Sequence, residues 1–106
     1  MAKAAAKART KAGRDYREGL QKRLQDAEYA VEYLNAALED EDESVFLLAL
    51  KDVASAHGIS RVAEEAELNR ENLYRILKAS SDPRFSSISA LVHALGLQLS
   101  VRPAEG

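Results

Sequence analysis

The chain has 106 residues, 46% of them apolar and 30% charged, with a formal charge of −2 and no cysteine. That length allows one domain with an arm, and the composition is that of a folded chain rather than a wholly disordered one. The missing cysteine removes disulfides, thiolate zinc sites and cysteine nucleophiles together.

With two histidines, a histidine-built metal site is not expected. Neither His57 nor His93 is paired with an acid or hydroxyl at motif spacing, so no enzyme activity, cofactor or small-molecule substrate is expected. The longest unbroken apolar run, Val45 to Leu50, falls far short of the roughly 20 residues of a membrane span. The basic N-terminus lacks the apolar stretch of a secretory signal, so the expected location is the cytoplasm, with no membrane partner.

Charge is unevenly distributed along the chain. Residues 1–24 hold eight basic side chains against two acids, residues 25–43 hold eight acids and no Lys or Arg, and residues 44–106 carry seven of each. Residues 1–14, rich in Ala, Lys and Arg, have almost no large apolar side chain to bury and read as a flexible basic arm. Such an arm is either a solvated tail or a cationic segment that binds phosphate by releasing counterions.

From Tyr16 onward, Tyr16, Leu20, Leu24, Ala27, Val31, Leu34 and Leu38 recur at spacings of three and four, the helical period. Tyr29, Ala30, Tyr33 and Ala37 widen the stripe in its second half, as for a helix packed on a globular body. Residues 15–43 are therefore a helical extension. It is either one helix to about residue 39 or two that break near Asp26, whose carboxylate can cap the second. Ser44 to His57 is apolar on nearly every side except Lys51, Asp52 and Ser55 and is the expected central core helix, closed by Gly58 in a left-handed conformation.

Ser60 is placed to cap a short helix to Ala66, and Asn69 to cap another to about Lys78. Ser86 or Ser87 is placed to cap a last helix with Ile88, Leu91, Val92 and Leu95 on one face, ended by Gly96. In the loop before it, Phe85 is expected to plug the core. After Gly96 the period changes to two. Leu97, Leu99 and Val101 alternate with Gln98, Ser100 and Arg102, a single strand whose economical partner is the same strand of a second copy, giving a homodimer. Residues 102–106 are a tail.

Two short helices joined by about three residues after a buried helix have the pattern of a helix-turn-helix. Val62, Ala63 and Ala66 are small enough for a close crossing, while Leu73, Ile76 and Leu77 turn the second helix inward. The opposite face then carries Glu71, Arg75 and Lys78, flanked by Asn72 and Tyr74, with Arg70 in the first turn. These side chains suit double-stranded DNA: Asn pairs with adenine, Arg with guanine, and Tyr or Lys reaches phosphate. Ser60, Asn69, Arg84 and Ser86 complete the expected DNA contacts. The competing reading is a solvated helix face with a Glu71–Arg75 ion pair worth a few tenths of a kcal/mol, about the usual size at that spacing.

Four stretches carry a family resemblance: Glu28 to Glu39, Phe46 to Ala54, Leu68 to Arg75, and Pro83-Arg84-Phe85-Ser86 followed after a helix by Ala94-Leu95-Gly96-Leu97. In this order and spacing, residues 17–101 resemble the addiction-module antidote proteins, bacterial antitoxins with a lambda-repressor-like helix-turn-helix. The resemblance implies an all-α fold of five or six helices, here with the dimerising strand, and makes residues 44–101 the DNA-binding domain. It implies a dimer that binds the operator of its own operon, with residues 69–78 as recognition helix, and that neutralises a RelE/ParE-like toxin.

The segment before the core helix would be the toxin contact, with Tyr29, Tyr33, Glu39, Glu41 and Glu43 as its candidate residues. The acidic block there suits a basic partner. Two positions depart from the pattern: Glu67 stands where many such turns have glycine, and Ala27 where proline often follows the aspartate. A stand-alone transcription regulator, or a protein-interaction module that has lost DNA binding, is the alternative.

Overall fold

The computed structural model describes residues 11–78 and 80–105, with side chains from residue 16 on. Among these residues the fold is all-α, with six helices: α1 (Lys11–Leu24), α2 (Ala27–Leu38), α3 (Glu43–His57), α4 (Ile59–Glu65), α5 (Arg70–Ile76) and α6 (Phe85–Ala94). Helix α1 takes in residues 11–14, which the sequence assigned to the flexible arm. Lys, Ala and Arg are good helix formers and extend the helix beyond its apolar stripe. The rest of the expected arm, residues 1–10, lies outside the described residues.

The extension is two helices, not one. Gln25 and Asp26 turn the chain, the Asp26 carboxylate accepts the Tyr29 N–H at 3.3 Å, and the Gln25 amide donates to the Ala56 carbonyl at 3.2 Å. This turn resets the helical phase. Ala30 and Leu34 face the core, with Tyr29, Tyr33 and Ala37 packed beside them. Ala27, Val31 and Leu38, expected on the buried stripe, are exposed instead. A single 100° advance per residue does not carry across the break at Gln25 and Asp26.

Helix α3 is the hub, in contact with α1, α2 and α4, while α4 in turn meets α5 and α6. Asp42 caps α3: its carboxylate accepts the backbone N–H of Ser44 at 2.9 Å and the Ser44 hydroxyl at 2.8 Å. Leu47, Ala49, Leu50, Val53 and Ala54 are buried, but Leu48 is 57% exposed and joins the outward Lys51 and Ser55 side. One core runs from Leu24, Ala30 and Leu34 through Leu50 and Val53 to Val62, Leu73, Leu91 and Leu95, so the extension shares it with the remaining helices.

Gly58, at φ +102°, joins α3 directly to α4 and serves both ends. Its ψ of 111° lies outside the left-handed helical basin expected for it. Ser60 therefore sits inside the first turn of α4 and makes no cap. Likewise α6 starts at Phe85, with Arg84 as its cap residue, so neither Ser86 nor Ser87 caps it; the Arg84 carbonyl receives the N–H groups of Ser87 and Ile88. Phe85 is 74% exposed and plugs nothing, because its place in the first turn turns it outward while Ile88, Leu91, Val92 and Leu95 pack inward.

After Gly96 the backbone of residues 97–105 has neither helix nor β-ladder within the single chain. Leu97 packs on the core, whereas Leu99 and Val101 are exposed, the latter at 98%.

Candidate nucleic-acid interface

Helix α5 has only seven residues, too few to hold together alone, so its surface depends on what fixes its ends and inner side. Inside, Leu73 is fully buried, Leu77 is buried and Ile76 partly so. At its start, the Asn69 side chain accepts the Asn72 N–H at 2.7 Å. Before it, α4 ends with the Leu68 N–H bonded to the Ala63 carbonyl at 2.8 Å and the Glu67 N–H to the Glu64 carbonyl at 3.1 Å.

This is the hydrogen-bond pair of a Schellman turn, which needs a left-handed residue between them. Glu67 supplies it at φ +60°. The end of α6 repeats the same pair, from Leu97 to Val92 and from Gly96 to His93, with glycine in the left-handed place at φ +80°. The sequence reading of Glu67 as a glycine-type turn position thus has a geometric counterpart. Beyond α5, the Ser81 hydroxyl donates to the Ile76 carbonyl at 2.7 Å and ties the following loop to the helix end.

Glu71, Tyr74 and Arg75, at i, i+3 and i+4, share the outer side of α5 and are exposed, as is Arg70 in the first turn; the helix ends at Ile76, short of the expected Lys78, which is exposed in the turn beyond. Asn72 is half-buried, and its side-chain oxygen accepts a hydrogen bond from the Arg75 guanidinium. The ion pair among the described residues is Arg61–Glu65 at 3.9 Å on α4, not Glu71–Arg75. Glu71 is therefore left open, and Arg75 is oriented by Asn72 while keeping donors toward solvent. Ser60 is exposed on α4; Arg84 and Ser86 are exposed at the start of α6, and none of the hydrogen bonds or ion pairs among the described residues joins them to α5.

The side chains expected at a protein partner divide into two sets. Tyr29 accepts a hydrogen bond from Arg23 Nε at 3.3 Å, with the guanidinium 5.6 Å from its ring centre. Tyr33 donates to Asp52 at 2.7 Å, and burial together with that carboxylate pushes its phenol well above the usual range. Both tyrosines thus join α2 to its neighbouring helices. Glu39, Glu41 and Glu43 are exposed.

Val31 and Leu38, which the apolar stripe places inward, are also exposed on α2; the signal for this is the cap at Asp26, which shifts the phase of the helix. His57 and His93 line one cleft of about 370 Å³ with Arg61 and Glu65. His57 Nδ1 lies 3.1 Å from the Val53 carbonyl. Among the described residues, no group of three or more His, Cys, Asp or Glu is placed to hold a metal ion, and no helix is long and apolar enough to cross a membrane.

These features define a small all-helical protein that presents a short, capped helix with a polar outer face and, on a separate helix, a strongly acidic one. Residues 17–103 match the family described as probable addiction module antidote protein, and the chain belongs to that family. A relative from Haemophilus influenzae, described only as an uncharacterized protein, is 36% identical over 70 residues, covering 66% of this chain and 72% of its own. No solved structure matches.

Proposed function

We propose that the chain is the antitoxin of a type II toxin–antitoxin module. It binds operator DNA as a homodimer through a lambda-repressor-like helix-turn-helix formed by α4 and α5, represses its own operon and neutralises a RelE/ParE-like toxin in the cytoplasm. Membership of an antidote family supports the toxin partner. The observation that carries the DNA reading is the outer side of α5 and its end, where Arg70, Arg75 and Lys78 are exposed, Arg75 oriented by Asn72, around a helix whose inner side is locked into the core. Lys and Arg there neutralise phosphates, and Arg75 and Asn72 have the donors and acceptors to read bases. In this reading Ser60, Asn69, Tyr74, Arg84 and Ser86 add backbone contacts, and Glu71 accepts from cytosine.

The dimer reading rests on the unpaired backbone after Gly96. Among the described residues, residues 98–105 form no backbone hydrogen bond, and an alternating apolar segment with open donors and acceptors is a template for a second copy. Leu97 to Val101 would form the ribbon, with Gln98 and Ser100 on its polar side. Ending the chain at Gly96 should leave a folded monomer; a dimer that persists on sizing would refute the pairing.

The whole reading is tested by coexpression with the neighbouring reading frame. The expected result is growth rescue, copurification of the two products and retention of the upstream DNA. Retention of DNA without rescue would favour a stand-alone regulator, and rescue without DNA binding an interaction module.

A further inference from the structure

The end of α2, the start of α3 and the loop leading into α6 enclose a cleft of about 220 Å³. Its floor is apolar, made by Phe46, Leu47, Pro83 and Ile88. Its rim is acidic, with Asp40, Glu43 and Asp82 and no Lys or Arg among the lining residues. Leu38 stands at the mouth, 55% exposed, in front of the buried Leu47. The exposed ridge of α2 leads to this mouth and adds Glu28, Glu32 and Glu39 at helical spacing. The cleft is below the roughly 300 Å³ at which small-molecule sites begin, but it accommodates one or two side chains of a protein segment lying along the ridge.

We propose that this cleft docks a cationic segment of the toxin, one apolar anchor side chain entering between Leu38 and Phe46 while its Lys and Arg residues meet the acidic rim. The inference rests on the toxin reading above and names the surface that serves it. Charge complementarity selects the occupant: an acidic rim around an apolar floor raises the encounter rate of a basic partner and repels an acidic one, and the anchor in its pocket supplies the residence time. The repulsion applies equally to nucleic acid, which removes DNA as a competitor for this side.

The test compares two leucines of similar exposure. Leu38→Arg places a charge of the occupant's own sign in the mouth; Leu48→Arg does the same on α3 outside the cleft, where Leu48 is 57% exposed. Binding of the purified product of the neighbouring reading frame is measured by calorimetry, with thermal melts to confirm that both variants fold. Leu38→Arg should weaken binding by about tenfold or more, the usual loss at an anchor, and Leu48→Arg should leave it unchanged. Asp40→Asn with Asp82→Asn keeps the Asp40 acceptor for the Asp42 N–H and should lower the association rate several-fold, with a shallower salt dependence.

Equal affinities for the two leucine variants, with wild type binding, would overturn the cleft proposal alone. No binding by wild type would overturn the toxin reading and the proposal with it. A change in the chain's own oligomeric state on Leu38→Arg would assign the cleft to a second copy and likewise overturn it.

Discussion

Helices α5 and α2 both turn charged sides outward, but they are held differently. Helix α5 has seven residues and depends on Leu73, Leu77 and the turns at its ends. Helix α2 has twelve, a carboxylate cap from Asp26 and a hydrogen bond from Tyr33 to α3. The basic face is therefore a product of tertiary packing, and core substitutions should destroy it. The acidic face stands on a longer helix whose inner side is packed on α3, and surface substitutions on its outer side should change its charge without changing its shape.

The largest effect is expected for Leu73→Ala. It empties a fully buried site and should cost about 3 kcal/mol, with loss of DNA binding, whereas Val31→Ala on the outside of α2 should stay within about 0.5 kcal/mol. Denaturant midpoints measure both, and equal losses would show that the two faces are supported alike. Next comes Tyr33→Phe, which removes a hydrogen bond to a carboxylate and should cost about 1–2 kcal/mol; a neutral result would mean that α2 is held by its apolar side alone.

Glu67→Gly sharpens the other side. Relief of left-handed strain, about 1 kcal/mol or more for a residue with a Cβ, is partly offset by glycine's larger unfolded-state entropy. The turn should gain less than about 1 kcal/mol, and a destabilised variant would show that the turn carries no strain.

The smallest effect concerns Asp42. The N–H and hydroxyl of Ser44 hold its carboxyl below the ordinary range. A depressed native value contributes stability that is present above the unfolded value and lost as pH falls through the native one. Asp42→Ala should therefore lower the melting temperature at neutral pH, with the difference shrinking in acid; a gap independent of pH would assign the effect to helix propensity.

Much of the fold was legible because apolar spacing reports which side of a continuous helix is buried. That logic found α3, the inner side of α5 and the last helix, and the Asn69 cap was readable from a side chain that competes well for backbone N–H groups. It failed where backbone geometry made the cap. Gly58 and Arg84 begin α4 and α6 through main-chain atoms, so Ser60 and Ser86 were poor guides and Phe85 was turned the wrong way. It failed again where a two-residue turn changed the phase of α2, hiding the exposure of Val31 and Leu38. The cleft beside Leu38 was not legible at all, since Phe46 and Asp82 reach it from distant segments. The alternation from Leu97 to Val101 is plain in the sequence, but its pairing depends on another copy.

In the proposed function, DNA is held on α5 while the opposite charge serves a protein partner. The most direct measurement is the affinity of the wild type, Arg75→Ala and Leu38→Arg for the upstream DNA at one fixed salt concentration, by fluorescence anisotropy. Arg75→Ala should lose about 1–3 kcal/mol of binding with its fold intact, while Leu38→Arg should stay close to wild type. Unchanged binding by Arg75→Ala, or an equal loss on Leu38→Arg, would show that α5 is not the DNA-binding face.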